Sequence, residues 1–202
     1  MKKIIFILVF AFILQKAFAD EIYFIAGINE NKIDTGVGVT TAKLDEDDKK
    51  PFITIGYEIS ENLGIDLSYF ETGEASLTGN NGDRFTVAGT EYEFIVNNAK
   101  IGVSSENIAL GLRPHIELTK ELNLFARLGY HFYEASLSTS GDSITTATLK
   151  DDDSSDVFYG IGANYEKNNF FVNAGIEYYE LEYDYIDEIK TKFISIGFKK
   201  EF

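Results

Sequence analysis

Leu122-Asn123-Leu124-Phe125-Ala126-Arg127-Leu128-Gly129-Tyr130-His131-Phe132-Tyr133 decides the fold. Leu122, Leu124, Ala126, Leu128, Tyr130 and Phe132 fall on one side of the pattern, and Asn123, Phe125, Arg127, Gly129, His131 and Tyr133 on the other. Successive side chains of a strand point to opposite faces, whereas a helix repeats every 3.6 residues. A period of two held over this length is therefore a strand.

The pattern spreads in both directions. Ile108, Leu110, Leu112, Pro114, Ile116 and Leu118 alternate with Ala109, Gly111, Arg113, His115 and Glu117. Leu63, Ile65, Leu67 and Tyr69 alternate with Gly64, Asp66, Ser68 and Phe70. Pro51–Ile59, Val157–Tyr165, Phe170–Tyr183 and Lys190–Phe202 read the same way, and Ile22–Lys43 holds a weaker first strand, expected to break near Asn29–Asn31. The expectation is eight strands. Ser60-Glu61-Asn62, Thr119-Lys120-Glu121 and Glu166-Lys167-Asn168-Asn169 are short turns. The intervening connections, Leu44–Lys50, Glu74–Glu106, Ser138–Ser154 and Asp184–Ile189, are longer and acidic. Within Glu74–Glu106, Arg84–Ala88 and Thr90–Val96 are expected to form a hairpin above the barrel.

The chain opens Met1-Lys2-Lys3, runs apolar from Ile4 to Leu14 and reaches Ala17-Phe18-Ala19. A basic start, a short apolar stretch and a small-x-small site make a signal peptide, with cleavage expected between Ala19 and Asp20. The apolar stretch is too short for a membrane helix, which needs about 20 residues. The expected organisation is a leader over 1–19 and one domain over 20–202. The 202-residue chain carries a net charge of −15, and loss of Lys2, Lys3 and Lys16 makes the mature part more acidic still. That balance excludes nucleic acid as a partner. The chain has no cysteine, which removes disulfides, thiolate metal sites, cysteine nucleophiles and a lipid-bearing cysteine. Beyond the leader no apolar run approaches a membrane helix. Membrane insertion would therefore require a closed barrel, which satisfies its backbone hydrogen bonds internally.

Alternation alone does not say which face is outside. Several features place the apolar face outward, in lipid. The polar face is rich in glycine, at Gly56, Gly64, Gly111, Gly129, Gly160, Gly162, Gly175 and Gly197. Glycine weakens a strand unless something needs the space, and the lumen of an eight-stranded barrel is only wide enough for side chains to fill. The same face carries Glu58, Asp66, Glu117 and Glu177 with Arg113 and Arg127, two of the chain's three arginines. These six are the candidate lumen charge network, because an enclosed charge is costly unless it is paired. Tyr23, Tyr57, Tyr165, Phe170 and Phe202 at the turn side, with Tyr69, Tyr130, Tyr159 and Tyr178 at the loop side, read as two aromatic girdles on the apolar face. The expected fold is all-β: an eight-stranded antiparallel up-and-down transmembrane β-barrel, preceded by a cleaved signal peptide.

The leader, the alternation of short turns with long loops, and the ending Phe193-Ile194-Ser195-Ile196-Gly197-Phe198-Lys199-Lys200-Glu201-Phe202 together resemble the small outer-membrane β-barrels of the OmpA and OmpX kind. The resemblance covers the mature chain and rests on architecture. It implies residence in the outer membrane, contact with lipid and lipopolysaccharide, and a C-terminal strand read by the barrel-assembly machinery through Ile194, Ile196, Phe198 and Phe202. Lys200 departs from that pattern, where an apolar or aromatic residue is usual.

Motifs for chemistry are sparse. His115 and His131, with Ser68 or Ser195, are the elements of a hydrolase, but nothing in their spacing brings base and nucleophile together, and no catalytic residue is assigned. Asp45-Glu46-Asp47-Asp48 and Asp151-Asp152-Asp153-Ser154-Ser155-Asp156 lack the glycine and distal glutamate of a calcium loop. They read as solvated loops, able at most to share divalent cations with lipopolysaccharide. No cofactor or metal is expected. The leading functional expectation is a non-enzymatic barrel with a structural or surface-interaction role and a largely filled lumen. The alternatives are a narrow channel or small-ligand-binding barrel, and a secreted soluble carrier like a lipocalin.

Overall fold

The computed structural model describes residues 22–142, 144–183 and 186–200; side chains are described in these except 144–146, 148–153, 182, 183, 186–189, 191, 192, 199 and 200. The expected leader, the expected Ala19/Asp20 cleavage pair and Phe202 lie outside the described residues.

The described residues form twelve strands: β1 (Ile22–Asp34), β2 (Val37–Val39), β3 (Lys43–Asp45), β4 (Asp47–Ser60), β5 (Leu63–Gly79), β6 (Arg84–Val87), β7 (Thr90–Glu93), β8 (Ala99–Glu117), β9 (Leu122–Gly141), β10 (Ile144–Lys167), β11 (Phe170–Tyr183) and β12 (Ile186–Lys200). The long ones follow one another as antiparallel neighbours around a ring, β1-β4-β5-β8-β9-β10-β11-β12. Pairing of β12 with β1 closes it, from Ile22↔Lys200 to Asp34↔Glu188. This is the expected eight-stranded up-and-down barrel. The short turns lie at the end where the described chain begins and ends. At one of them Asn168 and Asn169 both take positive φ, 52° and 64°, the mirror-image turn that matches the twist of a two-residue hairpin.

The membrane-facing surface is apolar. Ile28, Ile53, Ile116, Ile161, Phe170, Ile194 and Ile196 are all exposed on the outside of the ring, as lipid requires and water would not. This removes the soluble-carrier reading. The outward run Leu122–Phe132 has the length of a tilted membrane strand, about 9–11 residues. Tyr69, Tyr130 and Tyr159 stand exposed at its loop side, Tyr165 and Phe170 at its turn side.

Three expectations are corrected. The first strand does not break: β1 is continuous, and Asn29 and Asn31 are buried inside the ring. Asn31 Nδ2 donates to the carbonyls of Glu71 and Thr72 at 3.2 and 3.1 Å, so these asparagines serve the lumen. Tyr23 is not in the turn-side girdle. It pairs with Gly56 on the inward face of β1 and is 1% exposed. A β-carbon at position 56 would collide with its ring, which is why glycine stands there. Lastly, most of Glu74–Glu106 and Ser138–Ser154 is strand.

The barrel therefore continues far beyond the bilayer. β8 and β9 are 19 and 20 residues long, about twice what the membrane needs. Along β8 and β9 the apolar residues move from the outward to the inward face. In β8, Ile108, Leu110 and Leu112 face out and Ala109, Gly111 and Arg113 face in. Higher up, Ala99 and Val103 face in and are buried, while Lys100, Ser104 and Glu106 face out. In β9 the outward Leu128, Tyr130 and Phe132 give way to Glu134, and buried Ala135 faces in. Below the switch the outside is lipid; above it the outside is water, so the apolar face must turn inward. In β5 a bulge between Glu71 and Glu74, with Gly73 at φ 76°, moves the inward face from Asp66, Ser68 and Phe70 to Ala75 and Leu77. The expected hairpin forms as β6–β7, joined by β2 into a small three-stranded sheet. Phe85 and Phe94 of this region pack with Ala42, Leu77 and Ala99, so the sheet lies across the mouth of the upper barrel.

Candidate functional site

The lumen is layered, and its middle layer is ionic. Asp66 points in from β5, Arg127 from β9 and Glu177 from β11, because each occupies an inward-parity position of its strand. Arg127 Nη2 and Nε donate to the two oxygens of Asp66 at 2.7 and 3.2 Å. Nη1 donates to Glu177 Oε1 at 2.5 Å, and Nη2 also reaches Ser68 Oγ at 2.9 Å. The forked guanidinium thus engages both carboxylates at once, as its planar geometry permits. Asp66, Arg127 and Glu177 are 1%, 8% and 4% exposed. In the ring β5 and β11 stand opposite each other, so the chain of contacts crosses the full diameter. Tyr179 donates to Glu177 Oε2 at 2.5 Å, Thr54 and Ser68 share a hydrogen bond at 2.7 Å, and Phe158 lies under the guanidinium at 5.1 Å.

One layer toward the turns, Arg113 Nη2 donates to Asn173 Oδ1 at 2.9 Å, and its guanidinium covers the Phe125 ring at 4.1 Å. Asn173 Nδ2 donates in turn to Ser195 Oγ at 3.1 Å. Room for these large groups comes from glycine. A β-carbon at Gly111 would lie 2.7 Å from Phe158 and one at Gly162 within 3.0 Å of Phe125. The void left among Ile25, Phe52, Asp66, Arg113, Arg127 and Glu177 is about 20 Å³, space for about one water.

Of the six charged residues singled out by parity, Asp66, Arg127 and Glu177 meet directly. Arg113 bonds to neutral partners. Glu58 is half-buried near the turns, with its Oε2 4.0 Å from His115 Nδ1. Glu117 is exposed as the last residue of β8, beyond the enclosed part of the lumen, and is corrected out of the network. Sequence reading missed Asn173, Tyr179 and Thr54, and had Ser68 and Ser195 as hydrolase elements rather than as members of this network. The usable signal was parity, since Ser68 follows Asp66 by two positions and Tyr179 follows Glu177 by two.

The hydrolase elements are not assembled. His131 is fully buried between Tyr133 and Tyr179, with its Nε2 donating to the Glu180 carbonyl at 2.7 Å. His115 Nε2 donates to the Glu61 carbonyl at 3.0 Å. Ser68 and Ser195 bond to Arg127 and Asn173 instead. Among the described residues no group of three or more histidines and carboxylates is placed to hold a metal ion. In the Asp45–Asp48 run, Glu46 accepts from Thr35 and Asp48 from the Glu74 amide; side chains 151–153 lie outside the described residues. Ile194, Ile196 and Phe198 line the outward face of β12, where Phe198 stacks on Phe24 at 5.2 Å.

The fold is similar to that of Ail, the attachment invasion locus protein of Yersinia pestis, with a TM-score of 0.53 and 16% identity over 90% of this chain and 99% of that one. It is similar also to OprG from Pseudomonas aeruginosa, with a TM-score of 0.55 and 12% identity over 91% of this chain and 97% of that one. The N-terminal β-barrel domain of Pseudomonas aeruginosa OprF gives a TM-score of 0.53 and 14% identity over 90% of this chain and 98% of that one. At these identities the likeness is one of fold. No curated protein matches the chain in sequence. The model of the outer membrane protein beta-barrel domain matches residues 4–202. With its closed ring, lipid-facing apolar belt and aromatic girdles, the chain belongs to the outer membrane protein beta-barrel domain family and resides in the outer membrane.

Proposed function

We propose that the protein is a non-conducting structural barrel that presents a tall surface extension outside the cell. The contact chain from Asp66 through Arg127 to Glu177 carries this reading. It crosses the lumen between opposite strands, and among the described residues no like-charged ladder that could pass ions stands in this middle layer. The test is conductance of the refolded protein in planar bilayers. A silent membrane is expected; reproducible unitary steps would instead favour the narrow-channel alternative.

The upper barrel supports a surface role. Glu71, Glu106 and Glu134 sit side by side on three adjacent strands, just above the tyrosine girdle. Like charges directly opposite one another repel, and at the headgroup level divalent cations shared with lipopolysaccharide phosphates relieve that repulsion. Ail has been seen in complex with the heparin analogue sucrose octasulfate. A net charge of −15 opposes such a polyanion here, so partners that are cationic or bridged by cations fit better. Ile194, Ile196 and Phe198, outward on β12 and followed by Phe202, support recognition of this strand by the assembly machinery. No catalytic step is assigned.

A further inference from the structure

We propose that the mouth of the barrel is a binding site for one uncharged, apolar small molecule, such as an aliphatic alcohol. Above the ionic plug lies a cavity of about 300 Å³. Ala75, Leu77, Val103 and Leu137 of the barrel wall form one side, and Phe85 and Val87 of the small sheet form the other. Its volume equals that of about ten molecules of liquid water.

Water is a poor occupant. A buried water needs two to four polar partners. Among the described residues the lining offers side-chain hydroxyls at Thr35, Ser76 and Thr139, with a phenol at Tyr92 on the rim, and Thr35 already donates to Glu46 at 2.8 Å. An enclosed apolar cavity of about half this size stays dry and takes up benzene; this one opens at the mouth, so an apolar ligand that seats in it displaces poorly bonded water from its walls. Empty apolar space forfeits packing, so a ligand of matching character gains what the empty walls lack.

The chemistry of the walls sets the ligand class. Among the described residues no charged side chain lines the cavity, so an ionised head would find no counter-charge on these walls. The acidic surface around it repels anions as well. The cavity is also prebuilt. Arg84 pairs with Glu91 and Glu93 across β6 and β7 at 3.7 and 3.6 Å, and its carbonyl takes the amides of Thr40, Thr41 and Ala42. Phe70, Tyr133 and Tyr179, fully buried in one cluster with Ala75 and Val103 of the cavity wall, fill the lumen next to it, so the site holds its ligand rather than passing it on. Mouths of β-barrels are a recurrent place for such pockets.

The native chain has no tryptophan, so Tyr92→Trp in the cavity wall supplies a single reporter. The full mature protein in lipid nanodiscs is titrated with 8-bromo-octanol, whose bromine quenches indole on contact. Saturable quenching with one molecule bound per barrel is expected. The lipid-facing reporter Ile161→Trp should show only the non-saturating quenching of bilayer partition. Val103→Phe, which fills the cavity, should weaken saturable binding at least about tenfold, roughly 1.4 kcal/mol. Decanol should compete and decanoate should not. Thr139→Phe replaces Val103→Phe if the latter loses the SDS heat shift of a folded barrel. Linear quenching at both reporters, or binding indifferent to the filling variant, overturns the site; equal competition by decanoate overturns the ligand class. None of these readouts depends on whether the lumen conducts.

Discussion

Replacing Arg127 by methionine keeps the side chain's length and apolar stem and deletes the guanidinium. Asp66 and Glu177 then remain buried, at 1% and 4% exposure, without the cation that bonds both. Breaking a buried ion pair by removing one partner costs about 3–5 kcal/mol, because the other charge is left uncompensated. Here one deletion strands two carboxylates and also removes a donor to Ser68, so Arg127→Met should lie at the upper end of that range. The assay is urea unfolding in lipid vesicles, followed by tyrosine fluorescence and by loss of the SDS heat shift. The triple variant Asp66→Asn, Arg127→Met, Glu177→Gln should recover part of the loss, since it leaves no uncompensated buried charge and only the smaller cost of underbonded amides. Coupling among the three sites should show as strong non-additivity. A loss below about 1 kcal/mol for Arg127→Met, the range of exposed ion pairs, would refute the reasoning. So would a triple variant no more stable than the single one.

Three further perturbations test other parts of the fold. Gly111→Ala places a β-carbon 2.7 Å from Phe158 and should cost about 1–3 kcal/mol by overpacking; Phe158→Leu in the same chain should recover part of it, and a neutral Gly111→Ala would mean the lumen is looser than described. Ile161→Arg, in the middle of the lipid belt, should cost about 2–4 kcal/mol, whereas Ser104→Arg, outward but above the phase switch, should cost about zero. Equal costs at the two positions would misplace the membrane boundary. Phe85→Ala should loosen the small sheet by about 3–5 kcal/mol, seen as faster proteolysis near Asn81 and Gly82 with the SDS heat shift unchanged; slower or unaltered cleavage would deny that Phe85 holds the sheet down.

Much of this was legible residue by residue. The belt strands around Leu110, Leu128 and Ile161 carried an unbroken period of two, and the glycines opposite them marked the filled side. Other positions were read wrongly for reasons the fold makes plain. Asn29 and Asn31 looked like a turn because asparagine favours turns, yet an inward asparagine with backbone carbonyls across the lumen is equally well satisfied. Tyr23 looked like a girdle residue because tyrosine suits either a membrane interface or a buried site with space beside it. The partner that decides, Gly56, lies on another strand. Ala99–Val103 looked like loop because the apolar face switches sides there. The switch itself was written in the sequence, as Leu128, Tyr130, Phe132 giving way to Glu134, but it is recognisable only once the solvent outside is known to change.

Local pattern was enough for the membrane strands, for the end that carries the short turns and, through the glycines and charges on the opposite face, for the face that meets lipid. Each is a local property, set by the two-residue repeat and by turn chemistry within a few positions. Only the tertiary structure decided that Arg127 meets Asp66, 61 residues away, and Glu177, 50 residues away. It also decided that Glu117 falls outside the plug and that Phe85 closes a chamber over Leu77. Those outcomes depend on ring closure and on the stagger between strands. Alternation fixes the inward face of each strand, but the height at which two inward side chains meet is set by registers accumulated around the ring.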